Sequence, residues 1–236
     1  MMYNTLARYY DALVKDDEAT KAYVNWIESF HPGKKMLELA CGSGEITERL
    51  ARVGHRLDAL DLSADMVEQA KQKDPERLIG FSVRDMLDLT GLPMYEAVVC
   101  VCDSFNYLLE KQDVARFFEQ VAGHIEAGGL FFFDTHSLDR LDEFADEFNE
   151  TGAFEDGVQY QWSIMAEDDF VYQDFAFYLA DGSVVQEHHM QRVYAPRFLE
   201  EALEPWFDIV SVTTDFDEKG IATGEKYFFV CKRKRG

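Results

Sequence analysis

No stretch of this chain approaches the roughly 20 continuous apolar residues that a membrane-spanning helix needs, although 47% of its residues are apolar. Basic side chains are scarce: 23 Lys and Arg stand against 45 Asp and Glu, a formal net charge of −22. A field of that sign repels phosphate backbones and anionic headgroups, which argues against DNA, RNA and membrane surfaces as partners. The basic cluster Lys232-Arg233-Lys234-Arg235 reads as a solvated end to the last strand. Cys41, Cys100, Cys102 and Cys231 lie on or beside apolar runs, at neither disulfide nor zinc spacing. Buried free thiols are therefore expected, with Cys100 and Cys102 on the same face of one strand. There is no repeat, no low-complexity tract and no Pro/Gly-rich linker. The opening MMYNTLARYYD has neither a basic n-region nor an apolar h-region, so a cytosolic location is expected.

What the chain does have is concentrated in MLELACGSGEIT, residues 36–47. An apolar run that breaks into Gly42-Ser43-Gly44 and resumes as EITERLARVG at helical spacing is a strand, a tight turn and a helix. A second apolar run closes on Asp61, 19 positions after Gly42. Glycines let a ligand lie against main-chain atoms, and the helix N-terminus behind them offers free N–H groups. A dinucleotide site would carry a third glycine where this chain has Thr47, and no Lys follows as in a Walker-type site. Glu38, just ahead of the turn, is a poor neighbour for a pyrophosphate and a good one for a cationic ligand.

ELACGSG, LDALDLSADMVEQA, VRDMLDL, YEAVVCVCDSFNYLL and IEAGGLFFFDTH, in that order between about residues 34 and 136, resemble the successive motifs of class I S-adenosylmethionine-dependent methyltransferases. YNTLARYYDALV is similar to the N-terminal segment of a bacterial branch that acts on small molecules, where it folds over the cofactor. The resemblance implies S-adenosylmethionine as cofactor and leaves the acceptor open.

The alternation of strands and helices predicts an α/β chain with a Rossmann-like, doubly wound, mostly parallel seven-stranded sheet, and an antiparallel β-meander lid inserted after the fifth strand. Helices are expected near 3–14 and 18–30, and strands at 35–39, 56–61, 78–84, 96–102 and 130–134. Further helices should start at 44 and at Ser63-Ala64-Asp65, with Ser63 as cap, and another should cover 111–126. Residues 157–194 read as three extended runs broken at Glu167-Asp168-Asp169 and Asp181-Gly182. PRFLEEALEPW is the last helix, before hairpin strands near 207–216 and 225–232. The expected division is 1–136 for the N-terminal helices and cofactor-binding core, 137–195 for the lid, and 196–236 completing the core. A meander entering after the fifth strand is placed to roof the site; extending the sheet or forming a homodimer interface is its alternative role.

From the resemblance, Gly42 and Gly44 would approach the methionine part of the cofactor, near Glu38, and the backbone at Ala40 would receive its amino group. Asp61 would accept hydrogen bonds from the ribose hydroxyls, or else cap the following helix. Leu62 and Met66 would wall the adenine, with Met66 as helix core the alternative. Asp85, with Met86 beside it, would take the adenine amino group unless it is a surface-turn residue. Cys102, Asp103 and Ser104 end the fourth strand where donor and acceptor should meet. Tyr3, Tyr9 and Tyr10 are candidates for closing over the cofactor, since aromatic faces stabilise a sulfonium; Tyr3 and Tyr10 share a helix face.

Cys102-Asp103-Ser104-Phe105-Asn106 lacks the two prolines of adenine-amino methyltransferases and the Pro-Cys of cytosine-C5 enzymes, and no set of metal-binding acids can be located. What remains is transfer to a nitrogen, oxygen or carbon of a small molecule, where alignment and desolvation do most of the work and base assistance is an option the sequence leaves open. Candidate bases are His136, just past the fifth strand, and Glu187 with His189, which share a face of the last lid strand because they are two apart. A non-catalytic S-adenosylmethionine-binding protein and a nicotinamide-dependent oxidoreductase are the rival classes; no hydride-transfer set such as Tyr-x-x-x-Lys is found.

Overall fold

The computed structural model describes residues 4–235. Two helices, α1 (Asn4–Val14) and α2 (Asp17–Ser29), precede the alternating unit β1 (Lys35–Leu39), α3 (Glu45–Arg52), β2 (Arg56–Asp61), α4 (Ala64–Gln72), β3 (Gly80–Val83), β4 (Tyr95–Cys100), α5 (Lys111–His124) and β5 (Ile125–His136). A short 3₁₀ turn, Ser104–Tyr107, links β4 to α5. After α6 (Asp139–Glu143) come four antiparallel strands, β6 (Phe148–Ala153), β7 (Gln159–Glu167), β8 (Phe170–Tyr178) and β9 (Val184–Arg192). α7 (Pro196–Leu203), β10 (Phe207–Thr214), β11 (Glu218–Lys219) and β12 (Lys226–Arg233) finish the chain.

The main sheet runs β11-β10-β12-β5-β4-β1-β2-β3, with β1 to β5 parallel and β12, β10 and β11 antiparallel. It has eight strands rather than seven. The extra one is only two residues, formed where Asp215 and Phe216 take left-handed backbone (φ 47° and 69°) and fold the polar segment back on β10. Side chains alternate across a strand, and β5 uses this twice. Phe131 and Phe133 pack with Phe117 and Phe118 of α5, while Phe132 faces Trp26 of α2 and Phe30 at its C-cap. Burying each ring contributes about 3 kcal/mol, so β5 is clamped between helices on both faces. Asp16 caps α2 by accepting from the Glu18 and Ala19 amides, and Ser63 caps α4 by accepting from Met66 N at 3.3 Å.

The second sheet has four strands in the order β6-β7-β8-β9, one more than the sequence pattern implies. FNETGA of β6 has no apolar alternation to signal it. It is held by packing: a Cβ on Gly152 would lie 2.6 Å from the Tyr160 ring, so the glycine lets that ring close over β6. Phe175 and Phe177 of β8 bury against Val158 and against Tyr9 of α1, whose ring stacks 4.3 Å from Phe154. Helix α1 thus bridges the second sheet and the parallel core. Among the described residues no helix is long and apolar enough to cross a membrane.

Candidate active site

At the carboxyl end of β1 the chain turns through Ala40, Gly42 and Gly44, all with positive φ (51°, 53° and 81°). The two glycines do different work. A Cβ on Gly42 would meet nothing within 4 Å, so that position opens on the cleft; one on Gly44 would lie 2.8 Å from Ala70 Cβ, so Gly44 allows α3 to approach α4. Asp61, at the end of β2, accepts from Gly42 N and from Ser63 N, both at 2.8 Å. It braces the turn, while Ser63 is the cap of α4. Burial raises the Asp61 carboxyl above its ordinary value against the pull of these N–H donors.

Thr47, in the place of a third glycine, is fully buried and donates to Glu38 Oε2 at 2.6 Å. Burial pushes Glu38 up to about 7, the Thr47 bond opposes this and the Asp61 charge adds to it. Glu38, Ala40, Gly42, Ser43, Cys102, Ser104 and Tyr10 all line one cleft. Tyr10 reaches it from α1; burial raises its phenol, and Cys102, Tyr107, Asp103 and Asp61 raise it further. Tyr9 points instead to the second sheet, donating to Asp156 Oδ2 at 2.8 Å, and Tyr3 lies outside the described residues. A polar latch that sequence reasoning missed fastens α1 over the turn. Ser43 Oγ donates to Asp11 at 2.5 Å, Lys73 Nζ reaches Asp11 at 2.6 Å and Glu45 at 2.5 Å, and Lys15 pairs with Glu45 at 3.0 Å.

The expected adenine contacts are absent from this cleft wall. Leu62 is 62% exposed, and Met66 is buried in the core with Val67 and Ala70 of its helix. Asp85 is exposed and accepts from Leu87 N at 2.8 Å within its own turn, and Met86 packs on the main core.

β4 ends at Cys100, so Cys100 and Cys102 do not share a strand face. Cys102 and Asp103 both adopt left-handed backbone (φ 59°), and this turns Cys102 out to an exposed position. It is thus not a buried thiol, unlike Cys41, Cys100 and Cys231. Two consecutive non-glycine residues held there cost about 1–3 kcal/mol each, a strain that marks functional sites. What over-determines the turn is a charged cluster behind it. Asp103 N donates to Asp134 Oδ1 at 3.2 Å, and Tyr23 OH donates to Asp134 Oδ2 at 2.5 Å. Lys226 Nζ pairs with Asp103 Oδ2 at 2.8 Å and Asp134 Oδ2 at 3.6 Å. Burial pushes Asp134 up to about 6, against Lys226 and reinforced by Asp103. Burial acts the same way on Asp103, but His136 and Lys226 outweigh it and hold Asp103 below its usual value. The cluster joins α2, β4, β5 and β12, which only the register pairing Lys226 with His136 brings together. A carboxylate interrupting FFFDTH was its one trace in the sequence.

The three candidate bases are buried, His136 at the end of β5 and Glu187 and His189 on β9 of the second sheet, and none lines the cleft. His136 is closest to it in the chain of contacts: its Nδ1 is 3.5 Å from Asp103 Oδ1, and Asp103 sits between Cys102 and Ser104 of the cleft wall. Glu187, His189 and Gln191 are the buried side of β9. His189 Nδ1 is 3.2 Å from Tyr107 OH, and its Nε2 is 3.9 Å from Glu187 Oε2. Burial lowers His189 to about 4, His188 lowers it further and Asp174 opposes. Asn106 sews the 3₁₀ turn to both sheets, accepting from His136 N at 3.0 Å and donating to Arg192 O at 2.7 Å.

Residues 36–129 match the family model described as a methyltransferase domain. A putative methyltransferase of Bacillus subtilis (strain 168) is 35% identical over 100% of this chain and 98% of its own length. The crystal structure of an S-adenosylmethionine-dependent methyltransferase from Clostridium acetobutylicum superposes with a TM-score of 0.84 at 26% identity, covering 99% of both chains. A Streptomyces fradiae enzyme, dTDP-3-amino-3,6-dideoxy-alpha-D-glucopyranose N,N-dimethyltransferase, is 28% identical over 40% of this chain and 36% of its own.

Proposed function

From the premise that the chain belongs to the class I S-adenosylmethionine-dependent methyltransferases, we propose that it methylates a nitrogen or oxygen of a small-molecule acceptor that must lose a proton, with His136 as the base. The observation that carries the cofactor reading is the turn at Gly42. It leaves open the space a Cβ would fill, and it is backed by a carboxylate at the end of the next strand. These residues fit the cofactor: Gly42 gives close main-chain approach, Asp61 has lone pairs left for hydroxyl donors, and Glu38 answers positive charge. When bound, S-adenosylmethionine would supply an electrophilic methyl carbon and, in its sulfonium sulfur, the leaving group that would keep the C–S bonding pair.

Tyr10 covers the cleft and excludes water, and Ser43 with the latch to α1 keeps that cover in place. The acceptor enters beneath the lid beside Cys102 and Ser104, and its proton passes by way of Asp103, which stands between the cleft wall and His136, to His136 Nδ1, where Asp103 then stabilises the imidazolium. His189 is the weaker base, since burial lowers it to about 4, and Glu187 lies behind it. An S. fradiae relative that acts on an amino-sugar nucleotide supports a small polar acceptor. The charge of −22 argues against nucleic acid, and four free cysteines fit a cytosolic setting.

Calorimetry is expected to give micromolar affinity for S-adenosylmethionine and its demethylated product and none for NAD; preference for NAD overturns the reading. Asp61→Ala should weaken cofactor binding by about 1.5–3 kcal/mol, the scale of hydrogen bonds to a charged group. In an amine and phenol panel read as S-adenosylhomocysteine release, His136→Asn should lower kcat by about 100-fold or more. Undiminished turnover removes the base assignment.

A further inference from the structure

His136 is buried with both ring nitrogens facing oxygens: Nε2 is 3.0 Å from Gln191 Oε1, and Nδ1 is 3.5 Å from Asp103 Oδ1. The first distance is a hydrogen bond. The second is not, and Asp103 Oδ1 and His136 Nδ1 are both without a hydrogen-bond partner. Which nitrogen carries the proton depends on which way round the Gln191 amide lies. Its neighbours decide that. The Gln191 side chain meets the main-chain oxygen of Asp103 at 3.1 Å, and a carbonyl can only accept, so the atom facing it is the NH₂ group. The amide oxygen therefore faces His136, where it also accepts from Gln173 Nε2 at 2.9 Å.

We infer that Gln191 is a positioning residue that holds His136 as the Nε2–H tautomer, so that Nδ1, beside Asp103, is the atom that receives the acceptor's proton. The inference rests on the base role proposed above. With the proton on Nδ1 instead, two lone pairs would face each other at 3.0 Å on the Gln191 side, closer than the 3.5 Å now separating Nδ1 from Asp103. Once Nδ1 gains a proton, it and Asp103 Oδ1 become a charged donor and acceptor, and closing the 3.5 Å between them to hydrogen-bond distance satisfies both orphaned atoms. Asp103 is ready for this because Lys226 already holds its other oxygen at 2.8 Å. Gln191 is on β9 and Gln173 on β8, so the lid itself supplies the groups that set the tautomer. Seating the lid on the β4 end and completing the base are then one event. The methyl acceptor this implies is one with an N–H or O–H to lose, such as a primary or secondary amine or a phenol.

The test is ¹⁵N-histidine NMR on the full-length protein at a pH where His136 is neutral, its signal among the six histidines identified by its loss in His136→Gln. The wild type should show the Nε2–H form in excess by at least about tenfold, the scale set by one hydrogen bond. Gln191→Met should move the population toward Nδ1–H, because Asp103 Oδ1 becomes the remaining acceptor. Gln191→Glu, which keeps an oxygen there, should retain Nε2–H. A wild type in the Nδ1–H form overturns the inference and needs no variant to fold; so does a folded Gln191→Met with an unchanged tautomer. Cofactor affinity by calorimetry is read in parallel. A wild type that fails to bind S-adenosylmethionine overturns the methyltransferase reading whatever its tautomer, and a changed tautomer without a change in the pH profile of turnover overturns the proton-receiving role of Nδ1.

Discussion

Glu38 offers a test of the cleft that needs no acceptor. Burial lifts its carboxyl from an ordinary 4.5 to about 7, so the folded chain keeps a proton that the unfolded chain has already released. That contribution to stability is whole below about pH 4.5 and is withdrawn as pH rises toward 7, at about 1.36 kcal/mol per unit. By pH 5.5 about 1.4 kcal/mol is gone, and by pH 8.5 about 3.4. Glu38→Gln keeps the size and an acceptor for Thr47 and does not titrate. The cofactor-free variant should therefore gain on wild type by about 2 kcal/mol between pH 5.5 and 8.5, measured by urea unfolding under circular dichroism. The lower limit stays above the sequence pI of about 4.5, where the loss of net charge promotes association. The same substitution should weaken S-adenosylmethionine binding at pH 8, because the ionised carboxylate beside the ligand's positive charge is lost, and wild-type binding near pH 7 should release protons. A stability difference that is flat across this range would refute the claim that Glu38 is buried as a neutral acid.

Two further outcomes follow from the geometry. Gly42→Ala and Gly44→Ala should separate: both put a side chain on left-handed backbone, but the first meets no atom within 4 Å and should cost cofactor affinity with a small drop in Tm, whereas the second also lies 2.8 Å from Ala70 Cβ and should lower Tm further, both read by calorimetry and thermal melts. Lys226→Met should destabilise by about 3 kcal/mol or more in urea unfolding, because Asp103 and Asp134 are left as two facing carboxyls. In that variant Asp134 should titrate above its present value of about 6, since Lys226 now lowers it.

Local pattern carried the fold a long way. The strand limits 35–39 and 56–61 and the Ser63 cap are those of the structure, because each is set by neighbours within a few residues: an apolar run ending at a glycine turn, or a hydroxyl three positions before the amide it accepts from. The order of motifs was equally legible, since the parallel sheet threads them one after another. Strands without periodicity were not: FNETGA pairs because Gly152 admits the Tyr160 ring, and Glu218–Lys219 pairs because two left-handed residues turn it back.

The site divides on the same line. Sequence alone determined the glycine turn, its carboxylate at position 61 and the two-apart pair Glu187 and His189 on one strand face, all consequences of spacing along a single element. Only the tertiary structure decided that Cys102 turns outward, that Lys226 from the last strand and Tyr23 from α2 converge on Asp134, and that Gln191 meets His136. Those contacts join residues 55 to 111 positions apart. They arise because β12 lies against β5 and β9 of the second sheet packs on the turn after β4, an arrangement set by packing between elements, which no window along the chain records.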